Sequence, residues 1–148
     1  MKYSFLILGA IAFLSGCASV KTLKIGAEGG VASASMQVDV VKNSPAVQSV
    51  PVSQYFLPGN AVRAGANPKT VRFGAGQPTT HDVSVSGLGG SAVVIAQLPG
   101  EHADASGEAD SRRKTIPLSG KLPSGAKVTP VLRVGVSQSG ISVAPGNK

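Results

Sequence analysis

The sequence predicts a small all-β domain, a β-sandwich of about seven strands, and three observations support this prediction. Apolar and polar residues alternate with period two in several short segments, which is the pattern of half-buried strands. The continuous apolar run at residues 92–96 is typical of a strand covered on both faces. The chain has 19 glycines and 10 prolines in 148 residues, and no segment shows the sustained period of an amphipathic helix.

The predicted strands follow one another along the chain with turn residues between them. The first strand places Met36, Val38 and Val40 on one face. Pro117 lacks a backbone N–H, so its strand is expected at the edge of a sheet. The later strands contain Val71 and Phe73, Val83 and Val85, residues 92–96, Ile116 and Leu118, residues 128–136, and residues 141–143.

The amino-terminal segment has the three-part layout of an export signal. Lys2 is followed by ~12 apolar residues and then by small residues up to Gly16. This apolar stretch is shorter than the roughly 20 residues that an α-helix needs to cross a bilayer. We therefore expect residues 1–16 to be a signal peptide and not a transmembrane anchor.

The motif Leu14-Ser15-Gly16-Cys17 resembles the lipobox of bacterial lipoproteins, and Cys17 is the only cysteine in the chain. The resemblance implies cleavage before Cys17 and attachment of diacylglycerol to its thiol. Two or three acyl chains anchor a soluble domain firmly, because each buried CH₂ contributes about 0.8 kcal/mol. Ala18 follows the cysteine where Asp would retain the protein in the inner membrane under enterobacterial-type sorting, which indicates an outer-membrane lipoprotein facing the periplasm.

The remainder of the chain is predicted to contain one folded domain with flexible ends. Residues 17–35 are expected to form a lipidated flexible tether, because glycines and small residues show no sustained period there. Residues 36–143 are expected to form the β-sandwich. Residues 144–148 contain Pro145 and Gly146 and are expected to be a disordered tail.

The charge balance is basic but does not indicate a nucleic-acid partner. The net charge is +7, and removal of Lys2 with the signal would leave +6. The basic residues are scattered, and the one run, Arg112 to Lys114, has no aromatic stacking residues interleaved with it. The expected partners are membrane lipid, through acylated Cys17, and a protein in the periplasm.

Two groups of residues could carry chemistry, and neither forms a convincing site. His81 and Asp82 could orient a general base, but no nucleophile elbow or suitably spaced second histidine accompanies them. A loop gathers five potential metal ligands at a spacing that matches neither an EF-hand nor a zinc-protease motif. These ligands are Glu101, His102, Asp104, Glu108 and Asp110. We predict no enzyme, metal or cofactor, and the alternative function is a periplasmic ligand- or metal-binding module.

The order of features after the cysteine resembles the outer-membrane lipoprotein family of type VI secretion systems, TssJ or SciN. The resemblance is carried by residues 36–45, the strand at 94–96, residues 113–118 after the acidic loop, and the closing hairpin 132–143. The family has a short aromatic-rich helical stretch after its first loop. Here only residues 55–57 and a Pro-Gly turn occupy that region.

The resemblance implies a transthyretin-like β-sandwich that docks on the periplasmic part of an inner-membrane partner. It implies a structural component of an envelope-spanning assembly, such as the type VI secretion membrane complex. Partner contact is expected from the loop after the first strand. In the predicted strand assignment this loop consists of Asn43, Ser44, Pro45, Ala46, Val47 and Gln48.

Overall fold

The structure is a computed structural model and describes residues 18–146. The predicted signal peptide at 1–16 and the predicted acylation of Cys17 lie outside the described residues and stay predictions.

Eight strands and three short helices make up the described chain. The strands are β1 (Thr22–Ala27), β2 (Met36–Lys42), β3 (Lys69–Phe73), β4 (Thr80–Ser84), β5 (Ser91–Ala96), β6 (Arg113–Pro117), β7 (Val131–Ser137) and β8 (Gly140–Pro145). The helices are α1 (Pro45–Ser49), α2 (Val52–Tyr55) and α3 (Ala61–Ala66). Two single 3₁₀ turns occupy Gly29–Ala32 and Gly107–Ala109.

The strands form two four-stranded sheets that pack face to face. The first sheet has the order β4-β1-β7-β8 and the second has the order β3-β2-β5-β6. Strands β1 and β7 pair in parallel, with Leu23 opposite Leu132. The remaining pairs are antiparallel. The small all-β sandwich that the sequence predicts is therefore confirmed.

The main core lies between the two sheets and is built from alternate residues of their strands. Leu23 and Ile25 of β1, like Val38 of β2, have no exposed surface. Leu132, Val134 and Val136 contribute the inward face of β7. Because strand side chains alternate between faces, the residues that a strand contributes to this core are two positions apart, as in β1 and β7.

The seven strands predicted from sequence all exist, with shifted ends. The apolar run 92–96 is β5, which lies inside the second sheet and has no exposed residue from Ala92 to Ala96. The strand that contains Pro117 is β6, at the edge of that sheet. The eighth strand, β1, lies where the sequence predicted a tether.

The prediction of a flexible tether at 17–35 is wrong for most of its length. Thr22–Ala27 is an interior strand of the first sheet, hydrogen-bonded between β4 and β7. Ser19 already pairs with Ser119 in an isolated bridge. This strand is difficult to predict from the sequence, because it has only two inward apolar residues, Leu23 and Ile25, and Gly29 and Gly30 follow soon after it.

The prediction of a disordered tail is also wrong where the chain is described. Ala144 and Pro145 belong to β8, opposite Arg133 and Leu132. The N–H of Gly146 donates to the carbonyl of Val131 at 2.9 Å. A strand that pairs with β7 can end in proline because β8 is an edge strand.

Within residues 18–146, no helix combines the length and apolarity that crossing a membrane requires.

A stability measurement can test whether residues 22–27 form an interior strand or a flexible tether. Leu23→Ala deletes a fully buried side chain, and we expect it to lower the free energy of unfolding by ~2–5 kcal/mol. Lys24→Ala on the exposed face of the same strand is the control and should change it by less than about 0.5 kcal/mol. Urea unfolding measures both, and equal small effects would contradict the assignment of β1.

Candidate docking surface

The segment with α1, α2 and α3 covers the outer face of the second sheet. The Ser44 hydroxyl caps α1 by accepting a hydrogen bond from the Val47 N–H at 3.2 Å. The Asn60 side chain caps α3 by accepting from the Arg63 N–H at 3.0 Å. Asn67 ends α3 in the left-handed conformation, at φ 48°. Sequence analysis predicted no helix here, because helices of four to six residues are too short to show a helical period.

A second apolar cluster attaches this helical segment to the sheet. Val41 of β2 and Val93 and Ile95 of β5 point away from the main core. The helical segment packs Val47, Val50, Val52 and Tyr55 onto them. Strand β5 is buried on both faces for this reason: one face meets the first sheet and the other meets the helices.

A buried carboxylate ties α2, α3 and the sheet together. Asp39 has no exposed surface and lies on the outer face of β2. Arg63 of α3 approaches it through Nε at 2.7 Å and Nη2 at 3.2 Å, a two-pronged contact. The hydroxyls of Thr70 and Tyr55 donate to it at 2.6 and 3.0 Å. Burial, together with the Asp39 charge, raises the pKa of Tyr55, so its hydroxyl remains a donor.

The loop between β5 and β6, residues 97–112, forms hydrogen bonds with α2 of the helical segment. The Asp104 carboxylate accepts from the backbone N–H of Ser53 at 2.9 Å and from the Ser53 hydroxyl. Arg112 holds this carboxylate at 2.7 Å and the buried Asp110 carboxylate also at 2.7 Å. Burial alone would raise the pKa of Asp110, but the hydrogen bonds from Arg112 outweigh it and lower that pKa.

Arg113, the first residue of β6, adds a second contact to the helical segment. Its guanidinium is 1% exposed and donates to the carbonyls of Val50, Ala105 and Gly107. Burial lowers the pKa of Arg113. The side chain therefore joins the end of α1 to the acidic loop across the edge of the sheet.

The residues predicted to contact a partner lie at the start of the helical segment. Asn43 donates to the Ser91 hydroxyl at 3.0 Å, and Gln48 donates to Asn43 and to the Thr115 hydroxyl at 3.0 and 2.7 Å. Val47 is buried in the second cluster, whereas Pro45 and Ala46 are exposed. The structure thus divides this segment into a fixed polar base and an exposed apolar edge.

An open groove of about 630 Å³ runs between α1 and α3. Its walls are mostly small or apolar residues, with Lys42 at one end. It includes four of the six predicted contact residues, Asn43, Ser44, Ala46 and Val47, together with Ala61, Val62, Gly65 and Ala66. We refer to it as the α1–α3 groove.

The placement of residues 43–48 within the fold differs from the one that the sequence suggested. They follow β2, which is the second strand, because β1 precedes it. The loop after the first strand consists of residues 28–35, which include the Gly29–Ala32 turn. The family resemblance implies partner contact from the loop after the first strand. By the observed strand order, that loop consists of residues 28–35.

The structure does not bring the five potential metal ligands of this loop together into one site. Asp104 and Asp110 are engaged by Arg112, while Glu108 accepts from the Thr115 N–H and pairs with Lys114 at 3.6 Å. Among the described residues, no three His, Cys, Asp or Glu side chains are grouped as metal ligands. The acidic loop acts instead as a clamp on the helical segment.

The His81–Asp82 pair does not form a general base. The two residues are neighbours on β4, so their side chains leave on opposite faces of the strand. The His81 Nε2 lies 2.9 Å from the carbonyl of Arg72, and its ring packs edge-to-face against Phe73. His81 therefore joins β4 to β3, the edge strands of the two sheets on this side of the sandwich.

Three residues that organise this surface carry little signal in the sequence. Asp39 alternates with valines and lies on the opposite face of the strand from them, where the sequence gives no sign of burial, yet it is fully buried. The run Arg112 to Lys114 would be expected to solvate the end of the loop or to offset the nearby acids. Arg112 does pair with Asp104 and Asp110, but it and Arg113 are only 7% and 1% exposed. The available signal was the nearby acidic loop, but its pairing with the arginines depends on how residues 97–112 fold back.

Comparison with known proteins gives a result at the level of structure alone. No family model matches the chain, and no curated protein matches it. A chain from a structure described as a type VI membrane complex has a TM-score of 0.55 at 19% identity, covering 85% of this chain and 99% of that one. This chain has the fold of type VI secretion lipoproteins.

Two further solved structures agree with this likeness. Lip from Serratia marcescens, described as a membrane-bound component of the type VI secretion system, has a TM-score of 0.56 at 12% identity, covering 88% of this chain and 99% of Lip. The lipoprotein TssJ1 from Pseudomonas aeruginosa has a TM-score of 0.56 at 9% identity, covering 89% and 98%. At these identities the likeness establishes the fold, in agreement with the sequence resemblance.

The ion pairs of Arg112 with Asp104 and Asp110 predict a pH dependence of stability. The pKa values of Asp104 and Asp110 are lowered in the folded state. Their contribution is therefore present above the ordinary aspartate value of 3.8 and is lost as the pH falls through the lowered values. Arg112→Met leaves Asp110 buried without its cation, and we expect a loss of about 3 kcal/mol at neutral pH.

Without Arg112, burial raises the pKa of Asp110 above 3.8, so the difference in stability between wild type and Arg112→Met should begin to narrow above pH 3.8 and continue to narrow until the lowered wild-type pKa is passed. Urea unfolding at neutral and acidic pH measures this. Arg133→Met, at an exposed position on the first sheet, is the control and should show no such narrowing. If the difference in the free energy of unfolding between wild type and Arg112→Met stays constant into the acid range, the proposed stabilisation of Asp110 by Arg112 is wrong.

Proposed function

We propose that this chain is a non-enzymatic docking component of a type VI secretion membrane complex. It is held in the outer membrane by acyl chains on Cys17 and presents its sandwich to the periplasm. The observation that carries this proposal is the fold: three chains from type VI secretion structures are covered over 98–99% of their lengths. The likeness therefore extends over nearly the whole length of those chains and over 85–89% of this one.

The lipid anchor is supported by the amino-terminal sequence. An apolar stretch of signal length ends in Leu14-Ser15-Gly16-Cys17, and the chain has no other cysteine. Two of the similar structures are described as a membrane-bound component and as a lipoprotein. Acylation would tether the sandwich at the membrane and raise its effective concentration near an envelope partner.

The α1–α3 groove is the proposed docking site for a periplasmic segment of an inner-membrane partner. The groove exposes small apolar side chains such as Ala46 and Ala61, which allow close approach of another chain. Its walls are held in place by the Asp39–Arg63 contact at α3 and by the Arg113 contact at the end of α1, so little order would have to be gained on binding. Asn43 and Ser44 supply polar groups at its edge.

Replacement of Cys17 tests the anchor. In the native envelope, we expect the wild-type protein to partition into detergent and to begin with an acylated cysteine in mass spectrometry. Cys17→Ser should abolish acylation and leave the precursor uncleaved, because the lipid is attached to the thiol. Ser19→Ala, two residues away, is the control and should be processed normally. A wild-type chain with an unmodified Cys17 would refute the anchor.

A bulky charge in the groove tests the docking site. Ala46→Arg fills the α1–α3 groove at an exposed position, and we expect recovery of type VI membrane-complex proteins from solubilised envelopes to fall at least about tenfold, equivalent to ~1.4 kcal/mol. Ala64→Arg is a matched control, because Ala64 is exposed on α3 but does not line the groove.

Ser33→Arg probes the other candidate contact, the loop at 28–35. If only Ser33→Arg lowers the recovery, docking occurs at that loop and the groove assignment is wrong. If wild-type protein recovers no secretion component, the proposed function itself fails.

A further inference from the structure

One end of the sandwich carries a concentration of unpaired positive charge. Five exposed lysines lie where strands begin or end at this side of the two sheets, and among the ion pairs of the described residues none involves them. We call this surface the lysine end. Its members are Lys21, Lys42, Lys69, Lys121 and Lys127.

Backbone contacts place these lysines together although they are far apart in sequence. The N–H of Lys21, just before β1, donates to the carbonyl of Pro130 at 2.8 Å. Lys121 and Lys127 face each other in an isolated bridge within the turn that precedes β7.

Lysines of the second sheet reach the same end. Lys69 begins β3, and its ammonium donates to the carbonyl of Ser84, the last residue of β4. Lys42 ends β2 beside the turn at Gly89. The lysine end thus spans the ends of both sheets.

The acidic residues lie elsewhere. The segments 18–22, 84–91 and 117–131, which form most of the lysine end, contain no Asp or Glu. Five of the seven acids follow β1 or lie between β5 and β6, at the opposite end of the strands. They are Glu28, Glu101, Asp104, Glu108 and Asp110. The lysine end therefore carries positive charge without acids beside it, whereas at the opposite end the acids lie next to Arg112, Arg113 and Lys114.

The chain leaves the sandwich towards Cys17 at the lysine end. The Val20 N–H donates to the Leu118 carbonyl at 2.8 Å, and Ser19 pairs with Ser119. Ser19 is two residues after Cys17. Because a residue spans at most about 3.6 Å, acyl chains on Cys17 would hold this end close to the lipid surface.

We infer that the lysine end docks on anionic phospholipid headgroups beside the acyl anchor. This inference rests on the proposed lipid anchor and adds an orientation to it: the acidic loop points away from the bilayer, and the α1–α3 groove, with Lys42 at one end, begins beside the membrane-facing end. Each lysine near an anionic surface shifts the docked population about fivefold. Salt weakens the attraction over a Debye length of about 8 Å.

The experiment uses the acylated full chain reconstituted in vesicles. Acylated Cys17 has no free thiol, so a single cysteine introduced at Ser124 or Ser106 can carry a fluorophore. Both positions are exposed; Ser124 lies in the Lys121–Lys127 turn and Ser106 in the acidic loop. Iodide quenching is measured in vesicles of phosphatidylethanolamine with phosphatidylglycerol, and in vesicles of phosphatidylcholine alone.

We expect the Ser124→Cys label to be protected from iodide only in the phosphatidylglycerol vesicles, and the Ser106→Cys label to be quenched equally in both. The triple variant Lys21→Gln, Lys121→Gln, Lys127→Gln should reduce the docked-to-undocked ratio about a hundredfold and expose the Ser124→Cys label. Lys24→Gln, Arg72→Gln, Arg133→Gln removes the same charge from exposed positions outside the lysine end and should keep the protection.

Equal quenching of the Ser124→Cys label in both kinds of vesicle would overturn the inference while leaving the anchor intact. If the triple variant loses its secretion partners but keeps the label exposure of the wild type, the lysine end is a protein-docking surface and the lipid inference is wrong. A chain that does not enter either vesicle overturns the anchor and this inference together.

Discussion

The packing of β5 is the constraint on which the rest of the structure depends. All five residues from Ala92 to Ala96 lack exposed surface, so the second sheet has two apolar faces and needs a cover on each. The first sheet covers one face, and α1–α3 cover the other. Burial of apolar area is the main favourable term in folding. The short helices, which would not be stable alone, exist because this face requires them.

The polar contacts around the helical segment fix its position. Apolar packing is non-directional, whereas the Asp39–Arg63 pair and the Arg112 and Arg113 contacts join specific atoms of the helices, the sheet and the acidic loop. Burying such charges is costly unless they are paired and hydrogen-bonded. Each of these groups therefore restricts the helical segment to one arrangement, and the α1–α3 groove is presented as a formed surface.

The proposed docking groove adjoins the lysine end, and the strand directions explain why. The described chain enters the sandwich at the lysine end, so an acyl anchor on Cys17 would lie beside the basic surface, while the loop at 97–112 closes the opposite end. The groove begins at Lys42, where β2 ends, and lies between α1 and α3 on the outer face of the second sheet. A domain arranged in this way could bind a membrane with one end and still present its side to a periplasmic protein.

The sequence by itself determined the fold class, seven of the eight strands and the signal-like segment before Cys17, because alternation, apolar runs and the lipobox are local patterns. It did not determine β1, because the two core residues of this strand are placed by parallel pairing with β7, more than a hundred residues away. Nor did it reveal α1–α3, the buried state of Asp39 and Arg113, or the lysine end. These features are set by which distant segments meet across the sheets, and a local pattern does not contain that information.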